Sequence, residues 1–476
     1  ALNDEGLIDV ALDVLKSSSV QSLGSANDTP ASRIRESGGI ILGSLTSCSA
    51  EAIMELHSRQ VLSSLVLAAN DASMTAPSTL RGDSAPRCLG MLEAASAVLM
   101  FAWQHPSGAS SELLDRLIEA LDAGTITYLF RVMNSEMDWD SRDKSSGGMK
   151  ARSAACQLLC CLFGIAMTDE TAIGMRRLMD ACDDDQSQRR VKKGPRNIME
   201  AVLTVLQNSL TQAHKMLVGG TSRGAHYQAA LLDLVESSLL ATGSMCGSSI
   251  APGGGDGTMI KGDAMLAMRA DEFESRRKEV CKVACDVVIR GGRNGPALLP
   301  TILVGGFGEG SVTASLRLAL AIAQNGGEEQ HSKLALSGLL VPVSDLLQVS
   351  LARGDLYKFS AALALVRFCG PYVAAGTRGG IQSVRDAIRV ATNVLTLPTN
   401  PDASVEQIET QEALKSECIN ALESLSKNAA LWSAISTDAL PSIVAYLHSS
   451  CETSVSKISL PETRSSALRA VLQIVQ

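Results

Sequence analysis

The cysteines are the residues of this chain whose chemistry can be tested most directly against their spacing. Cys281 and Cys285 stand four residues apart on one face of a predicted helix. A zinc knuckle requires two-residue spacing and a second pair at a suitable distance, and neither is present. Cys156, Cys160 and Cys161 are crowded into an apolar stretch, which indicates buried thiols in a reducing compartment. The spacing predicts neither a metal site nor a disulfide framework.

Histidine is the residue that nucleophilic and metal-dependent hydrolysis would most often require. No histidine lies in a G-x-S-x-G or HExxH context. The six are scattered along the chain, at His57, His105, His214, His226, His331 and His448. We therefore expect no catalytic residue and predict that the protein is not an enzyme.

The segment GGFGEGSVTASL, which starts at Gly305, is the strongest candidate for a nucleotide site. Amides at the start of a helix can bind an anion. A P-loop requires Gly-Lys-Ser/Thr, and a dinucleotide fingerprint requires a preceding strand. Here no lysine is present and helices are predicted on both sides. We interpret the segment as a turn between repeats, keep a phosphate site as the alternative, and predict no cofactor.

The segment DDDQSQRRVKKGPR, which starts at Asp183, holds the sharpest charge feature. It is interpreted either as a solvated loop, as a nuclear-import signal, or as a contact for an acidic peptide, lipid headgroup or phosphate. The whole chain carries a net charge of −8, so we expect no nucleic-acid partner and at most a peripheral membrane contact. The basic patch comprises Arg189, Arg190, Lys192, Lys193 and Arg196.

The composition indicates what kind of element must position these residues. Of 476 residues, 46% are hydrophobic and only 3% are aromatic, which favours closely packed helices over a β-sandwich. A segment of small residues, SAALALVRFCG from Ser360, recurs in ARSAACQLLCCLFGIA from Ala151 and in PRCLGMLEAASAVLMFAW from Pro86. In these segments the place of Cys369 is taken by bulky residues such as Trp103, so Cys369 is predicted to be a packing residue. No uncharged apolar run is long enough to predict a transmembrane helix.

A second kind of segment alternates with the first and starts with glycine. Examples are AGTITYLFRVM from Ala123, SGLLVPVSDLL from Ser337 and GGIQSVRDAIRV from Gly379. The glycine is predicted to end the preceding helix in a left-handed conformation. The period is 42 residues from Gly338 to Gly380, the length class of HEAT and armadillo units. The pattern therefore predicts an array of helical repeats.

The alternation resembles armadillo repeats, in which the second helix reads Ala-Ala-x-Ala-Leu and the third starts with Gly, Ala and Ile before a leucine-rich run. FSAALALVRF and SGLLVPVSDLL match this pattern, and TDALPSIVAYL matches it with Asp438 in the place of the glycine. The resemblance covers most of the chain, is closest over 330–476, and leaves the HEAT subclass open. It implies an all-α fold, namely a right-handed α-solenoid (an armadillo/HEAT-like superhelix) with polar loop insertions.

The distribution of inserted loops suggests the domain organisation. We predict N-terminal repeats with long loops over 1–243, a glycine-rich flexible loop over 244–263, and more regular C-terminal repeats over 264–476. Both ends fall inside repeat segments, so the chain is expected to be part of a longer solenoid or a solenoid whose ends dock on partners. The thiols favour a cytoplasmic location, with the nucleus as the alternative.

Two functions follow from such a fold. The first is a non-enzymatic scaffold that binds a peptide, helix or partner subunit along the concave surface of the solenoid. The second is the structural trunk of a vesicle coat, adaptor, tether or other large assembly. Importin-like armadillo proteins bind cargo through paired Trp and Asn on third helices, and the paired Trp is missing here. The predicted partner contacts, all assigned to glycine-started segments, are Asn70, Arg131, Asn134, Asn208, Asp345, Arg385 and Arg389.

Overall fold

The computed structural model describes the helical parts of the chain and the turns that join them closely. Within these ranges all regular structure is helical and no strand occurs, which confirms the predicted all-α fold. The described residues are 6–17, 30–59, 61–67, 86–104, 110–134, 145–168, 173–183, 195–219, 224–247, 271–289, 297–374, 379–398, 404–452 and 461–475.

The chain divides into two compact units. Unit 1 comprises Ala1–Gly254 and Ile260–Val280, and unit 2 comprises Gly255–Met259 and Cys281–Gln476. Beyond Gly247, the glycine-rich loop proposed at 244–263 lies outside the described residues. The three-part division therefore stays a prediction.

Unit 1 is built from long helices that alternate with shorter ones. A short helical segment at 62–67 adds to the numbered elements. The helices are α1 (Leu7–Ser17), α2 (Pro30–Cys48), α3 (Ala50–Ser58), α4 (Pro86–Gln104), α5 (Ser110–Asp122), α6 (Thr125–Asn134), α7 (Ser145–Thr168), α8 (Ile173–Asp183), α9 (Ile198–Gly219), α10 (Ala225–Met245) and the first part of α11 (Asp271–Ile289).

The long helices α2, α4, α7 and α10 pack against one another in chain order. The contact between α2 and α4 depends on glycine, because a Cβ on Gly90 would lie 2.2 Å from the carbonyl oxygen of Gly39. A Cβ on Gly43 would lie 2.8 Å from the Cα of Gly90. These three positions let two backbones approach more closely than any larger side chain would allow.

Helix α7 forms the centre of unit 1. Its segment Gly147–Met167 is long and apolar enough to cross a membrane, but 89% of the apolar window is buried against neighbouring helices, as in a core helix. Gly164 makes room for the ring of Trp103, whose Cη2 would lie 2.2 Å from an added Cβ. Cys156 is fully buried, and this burial raises the pKa of its thiol. Cys156 is thus a buried thiol, as the sequence predicts.

Unit 2 contains the more regular repeats. Two short 3₁₀ turns, Gly370–Tyr372 and Ala429–Leu431, and a helical turn, Trp432–Ala434, connect its elements. The helices are the second part of α11, α12 (Leu298–Thr301, continued by the π-helical turn Ile302–Gly306), α13 (Glu309–Gly326), α14 (Glu328–Leu336), α15 (Leu340–Arg353), α16 (Leu356–Cys369), α17 (Gly380–Leu395), α18 (Val405–Ser426), α19 (Leu440–Glu452, preceded by the π-helical turn Ile435–Ala439) and α20 (Pro461–Val475).

The helices of unit 2 form two layers. The small-residue helices α13, α16, α18 and α20 pack in chain order and make the long-helix layer. The glycine-started helices α15, α17 and α19 pack in the same order and make the second layer, with the π-helical turn after α12 in contact with α15. Each of α15, α17 and α19 also packs on the long helix that follows it. This succession is an armadillo/HEAT-type helical repeat, while the right-handed superhelix stays a prediction.

The predicted glycine caps are present where the structure describes them. Gly6, Gly124, Gly338 and Gly379 precede α1, α6, α15 and α17, with φ of 67°, 74°, 82° and 74°. Residues with a Cβ seldom adopt this left-handed conformation. The sequence therefore locates the starts of these helices correctly.

The order of helices within a repeat differs from the expected one. The glycine-started helices are preceded by short helices that the sequence pattern does not predict as separate elements, namely α3, α5, α8 and α14. Counted from its short helix, each repeat has the glycine-started helix second and the small-residue helix third. The short helices escape detection because a segment such as Glu328–Leu336 is largely polar and only nine residues long.

Candidate partner-binding surface

The solvent-facing side of α15, α17 and α19 in unit 2 forms a continuous surface, which we name the outer face. Each helix buries its other side against the long-helix layer and exposes residues at steps of four and three. Counted from Gly338, Gly379 and Asp438, positions 3, 7 and 10 recur. They are Val341, Asp345 and Gln348 on α15, Gln382, Asp386 and Arg389 on α17, and Pro441, Ala445 and His448 on α19.

The starts of the helices set the register of the outer face. A Cβ on Gly379, the cap of α17, would lie 3.2 Å from Cγ2 of Val341, so the first turns of α15 and α17 lie side by side. Asp438 takes the place of the glycine before α19, in the π-helical turn Ile435–Ala439. Pro441 has no amide hydrogen to donate within the helix, which is consistent with a widened turn just before it.

Arg389 is bonded within the outer face. Its Nε lies 3.3 Å from Oδ2 of Asp438, and its Nη1 lies 3.4 Å from Oδ1 of Asp386. Gln382 donates from Nε2 to the same Oδ1 of Asp386 at 3.1 Å. Because the Arg389 side chain is 60% exposed, each of these ion pairs contributes little to stability. Their effect is to link α17 to the turn before α19 and to neutralise Arg389 locally.

Arg385, one turn earlier on α17, has a different environment. Its side chain is half-buried, and its Nε is withdrawn from water without a hydrogen-bond acceptor. Among the described residues no carboxylate pairs with it. Because Nε is closed to solvent, a ligand oxygen cannot reach it, and the Nη groups are the ones that can bind the two oxygens of a carboxylate. Arg385 is therefore a cation of this face that can bind a ligand through its Nη groups.

Apolar side chains lie on the two helices that flank α17. Val341 on α15 is 37% exposed, and Val444 on α19 is 50% exposed. A single exposed valine is ordinary on a protein surface. Two of them on either side of a half-buried arginine form the mixture of apolar contact and arginine that is enriched in protein interfaces.

The polar groups between the long helices are bonded to one another. Nε of Arg317 on α13 donates to the hydroxyl of Tyr357 on α16 at 2.9 Å. The hydroxyl of Ser424 on α18 donates to the carbonyl of Arg367 on α16 at 2.8 Å. Arg469 on α20 contacts Glu423 on α18 through Nε at 2.6 Å. These bonds hold successive helices together.

One carboxylate of the long-helix layer is incompletely satisfied. Burial raises the pKa of Glu417 on α18, although a hydrogen bond from Ser360 and the charge of Arg367 both act to lower it. One oxygen, Oε2, is buried without a hydrogen-bond partner. Because the Glu417 carboxyl lies between α16 and α18, we expect its protonation to change the stability of the packing between these two helices.

The structure brings three of the predicted partner contacts together and separates the others. Asp345, Arg385 and Arg389 share the outer face of unit 2. Arg131 and Asn134 are exposed on α6, and Asn208 is exposed on α9, so these three belong to unit 1. The residues that lie outside the described ranges are Asn70, Arg189, Arg190, Lys192 and Lys193.

Two details of these predictions require correction. Asn208 closes the apolar run EAVLTVLQN, which predicts a helix end there, but α9 continues for eleven further residues to Gly219. Arg131, Asn134 and Asn208 lie on glycine-started helices, which are the second and not the third helices of their repeats. Arg196, the described member of the basic patch, is exposed, and its backbone N–H donates to Oε2 of Glu200 at 2.7 Å.

The outer face also contains residues that the sequence does not predict as contacts. They are Val341, Val444 and Asp438. Val341 could have been found from its position, three residues after the capping Gly338. The partnership of Asp438 with Arg389 has no local signal, because the two residues are 49 positions apart.

The segments considered for chemistry have structural roles where they are described. Gly308, with φ 87°, precedes α13 and forms the turn before it. Cys369 is fully buried, and burial raises the pKa of its thiol to about 12. Within the described part of the chain, no group of three or more His, Cys, Asp or Glu side chains is arranged to hold a metal ion.

Comparison with known proteins yields fold-level likeness only. No family model matches the chain, and no curated protein sequence matches it. A solved structure, the crystal complex of SYS-1/POP-1, is similar with a TM-score of 0.43 and 9% sequence identity, covering 98% of this chain and 76% of that chain. The crystal structure of SYS-1 is similar with a TM-score of 0.31 and 8% identity, covering 98% and 85% respectively. Likeness at this level does not extend to a function or a binding site.

Proposed function

We propose that the protein is a non-enzymatic scaffold that binds a protein partner on the outer face of unit 2. The observation that carries the proposal is Arg385, a half-buried arginine that has no ion pair among the described residues and lies on α17, between the helices that carry the exposed Val341 and Val444. Its Nε is closed to solvent, so a carboxylate supplied by a partner is bound through the Nη groups, and a partly desolvated guanidinium gains more from it than a solvated one does. Asp345, Arg385 and Arg389 are the charged contacts that we assign to this surface.

The contrast between the two layers supports this choice of surface. Polar groups of the long-helix layer already bond across successive helices, for example Arg317 with Tyr357. On the outer face Arg389 is likewise engaged, but Arg385 is not. We also propose a reducing, cytoplasmic location, with the nucleus as the alternative, because the described cysteines other than Cys48 are buried thiols. The basic patch of Arg196 and its neighbours is a further proposed contact for an anionic partner.

Site-specific crosslinking tests the proposed function. A photoreactive residue is placed at Val341 on the outer face or, as a matched control, at Leu468 on α20, which is 53% exposed. The full chain is irradiated in extract of its source. We expect a discrete protein adduct at Val341 that disappears with Arg385→Gln, and none at Leu468.

Other adducts would assign a different function. A stoichiometric adduct at Leu468 that is insensitive to Arg385→Gln would favour the structural trunk of an assembly. The absence of any adduct at Val341 would contradict the proposal.

A further inference from the structure

We propose that the outer face recognises a short extended protein segment that carries one acidic side chain between two apolar ones. This inference rests on the proposed function and specifies the chemistry of the partner. Three features carry it, namely the charge of Arg385, the positions of Val341 and Val444, and the exposed carboxylate of Asp345.

The acidic side chain is assigned by the state of Arg385. Two carboxylates accompany Arg389, those of Asp386 and Asp438, and none among the described residues accompanies Arg385. A neutral amide could accept from the Nη groups, but it would leave the positive charge uncompensated. A carboxylate satisfies both the hydrogen bond and the charge.

The two apolar side chains are assigned by the valines of the flanking helices. Neighbouring helices in a layer are separated by about 8–10 Å, and an extended chain advances about 3.3 Å per residue. A segment that crosses the layer therefore passes from one helix to the next in about three residues. An acidic residue over Arg385 then has its apolar partners about three positions before and after it, over Val341 and Val444.

The exposed Asp345 adds a preference that distinguishes the two flanks. It lies on α15, one turn after Val341, and carries no ion pair among the described residues. Its charge repels a second acidic residue near the apolar side chain bound at Val341 and favours a basic one there. The face is therefore complementary to a segment that is acidic at its centre and neutral or basic at the end over α15.

Selection from a displayed library of random twelve-residue peptides, with the full chain as the target, tests this inference. We expect the enriched peptides to carry Asp or Glu about three positions from apolar residues on both sides. Synthetic copies are then measured by fluorescence anisotropy. Replacing the central acid by its amide should weaken binding about tenfold, as expected for a charge-assisted bidentate bond.

Variants of the protein separate the role of Arg385 from a general charge effect. Arg385→Gln should weaken binding about tenfold, and Arg385→Lys should recover only part of this loss because lysine cannot bind bidentately. Arg367→Gln, which removes an exposed arginine of α16, is the matched control and should leave the affinity unchanged. Thermal unfolding of each variant shows whether it is folded.

Three results would overturn the inference. They are enrichment of peptides without a central acid, binding that is indifferent to Arg385→Gln, and recovery of no binding peptide. An adduct at Val341 that disappears with Arg385→Gln, together with the first or the third of these results, would leave the proposed function standing and reject only the partner chemistry. Binding restricted to peptides that are helical when bound would also reject the extended segment.

Discussion

The two layers of unit 2 use similar residues for different purposes. Across the long-helix layer, arginine, serine and glutamate side chains bond to the helix that follows, as Arg469 bonds to Glu423. On the outer face, one arginine of α17 is engaged in this way and the other is not. The type of a side chain therefore does not decide its role. Its position relative to the next repeat decides whether it stabilises the stack or is available to a partner.

The largest effect should come from the packing side of a long helix. Gly90→Ala places a Cβ 2.2 Å from the backbone oxygen of Gly39, where no flexible side chain can move away. We expect a loss of about 3 kcal/mol in the free energy of unfolding of unit 1, because overpacked helix contacts force backbone shifts. Urea denaturation followed by circular dichroism measures the loss.

Gly224→Ala is the matched control for this change. No atom lies within 4 Å of its added Cβ, and its φ is −53°, which alanine adopts readily. Its effect should stay within about 1 kcal/mol, the range of exchanges at the first residue of a helix. An equal loss of unfolding free energy in Gly90→Ala and Gly224→Ala would show that the close contact between α2 and α4 does not stabilise the packing of these helices.

A smaller, pH-dependent effect should come from Glu417, between α16 and α18. Burial raises the pKa of this carboxyl in the folded chain, so the folded state holds its proton more firmly than the unfolded state does. The contribution of Glu417 to stability is therefore present at pH values below the usual carboxyl range and is lost as pH rises through the folded pKa. Glu417→Gln removes this loss.

Denaturation midpoints at acidic and neutral pH measure the effect of Glu417→Gln. The variant should gain stability relative to the natural chain as the pH rises. A difference between the two chains that is independent of pH would contradict the assigned protonation behaviour. Glu409→Gln, on the exposed first part of α18, serves as the surface control.

The smallest effect on stability should come from Arg389 on the outer face. Arg389→Gln removes two ion pairs of an exposed side chain. We expect it to lower the free energy of unfolding by about 0–1 kcal/mol, because exposed ion pairs contribute little. Denaturation at low and high salt measures it, and the small difference should shrink at high salt. A loss of more than about 2 kcal/mol in the free energy of unfolding would mean that Arg389 stabilises the stack, as the arginines of the long-helix layer do. The two layers would then not differ in the way described here.

Several features of the fold could be predicted from the sequence because they have a local cause. Gly338 and Gly379 mark helix starts, since few other residues adopt the conformation required there. Cys369 is a packing residue because equivalent segments hold bulky side chains in its place, and burial in the structure agrees. Helical periodicity predicts outward positions for Asp345, Arg385 and Arg389, but it predicts the same for Arg131, which the structure places in unit 1.

The remaining features depend on contacts between distant parts of the chain. The short helix α14 is too polar and too brief to show an apolar period. The difference between Arg385 and Arg389 depends on Asp438, which belongs to the next repeat. Helical periodicity predicts which residues face outward, but it contains no information about which of them find a partner across the layer.

The most direct test measures two properties of one variant, Arg385→Gln, namely its affinity for a selected acidic peptide and its free energy of unfolding. We expect the affinity to fall about tenfold. The free energy of unfolding should stay unchanged or rise slightly, because an unsatisfied buried donor is removed. A loss of stability with unchanged affinity would contradict the proposed role, because Arg385 would then stabilise the stack and not bind a partner.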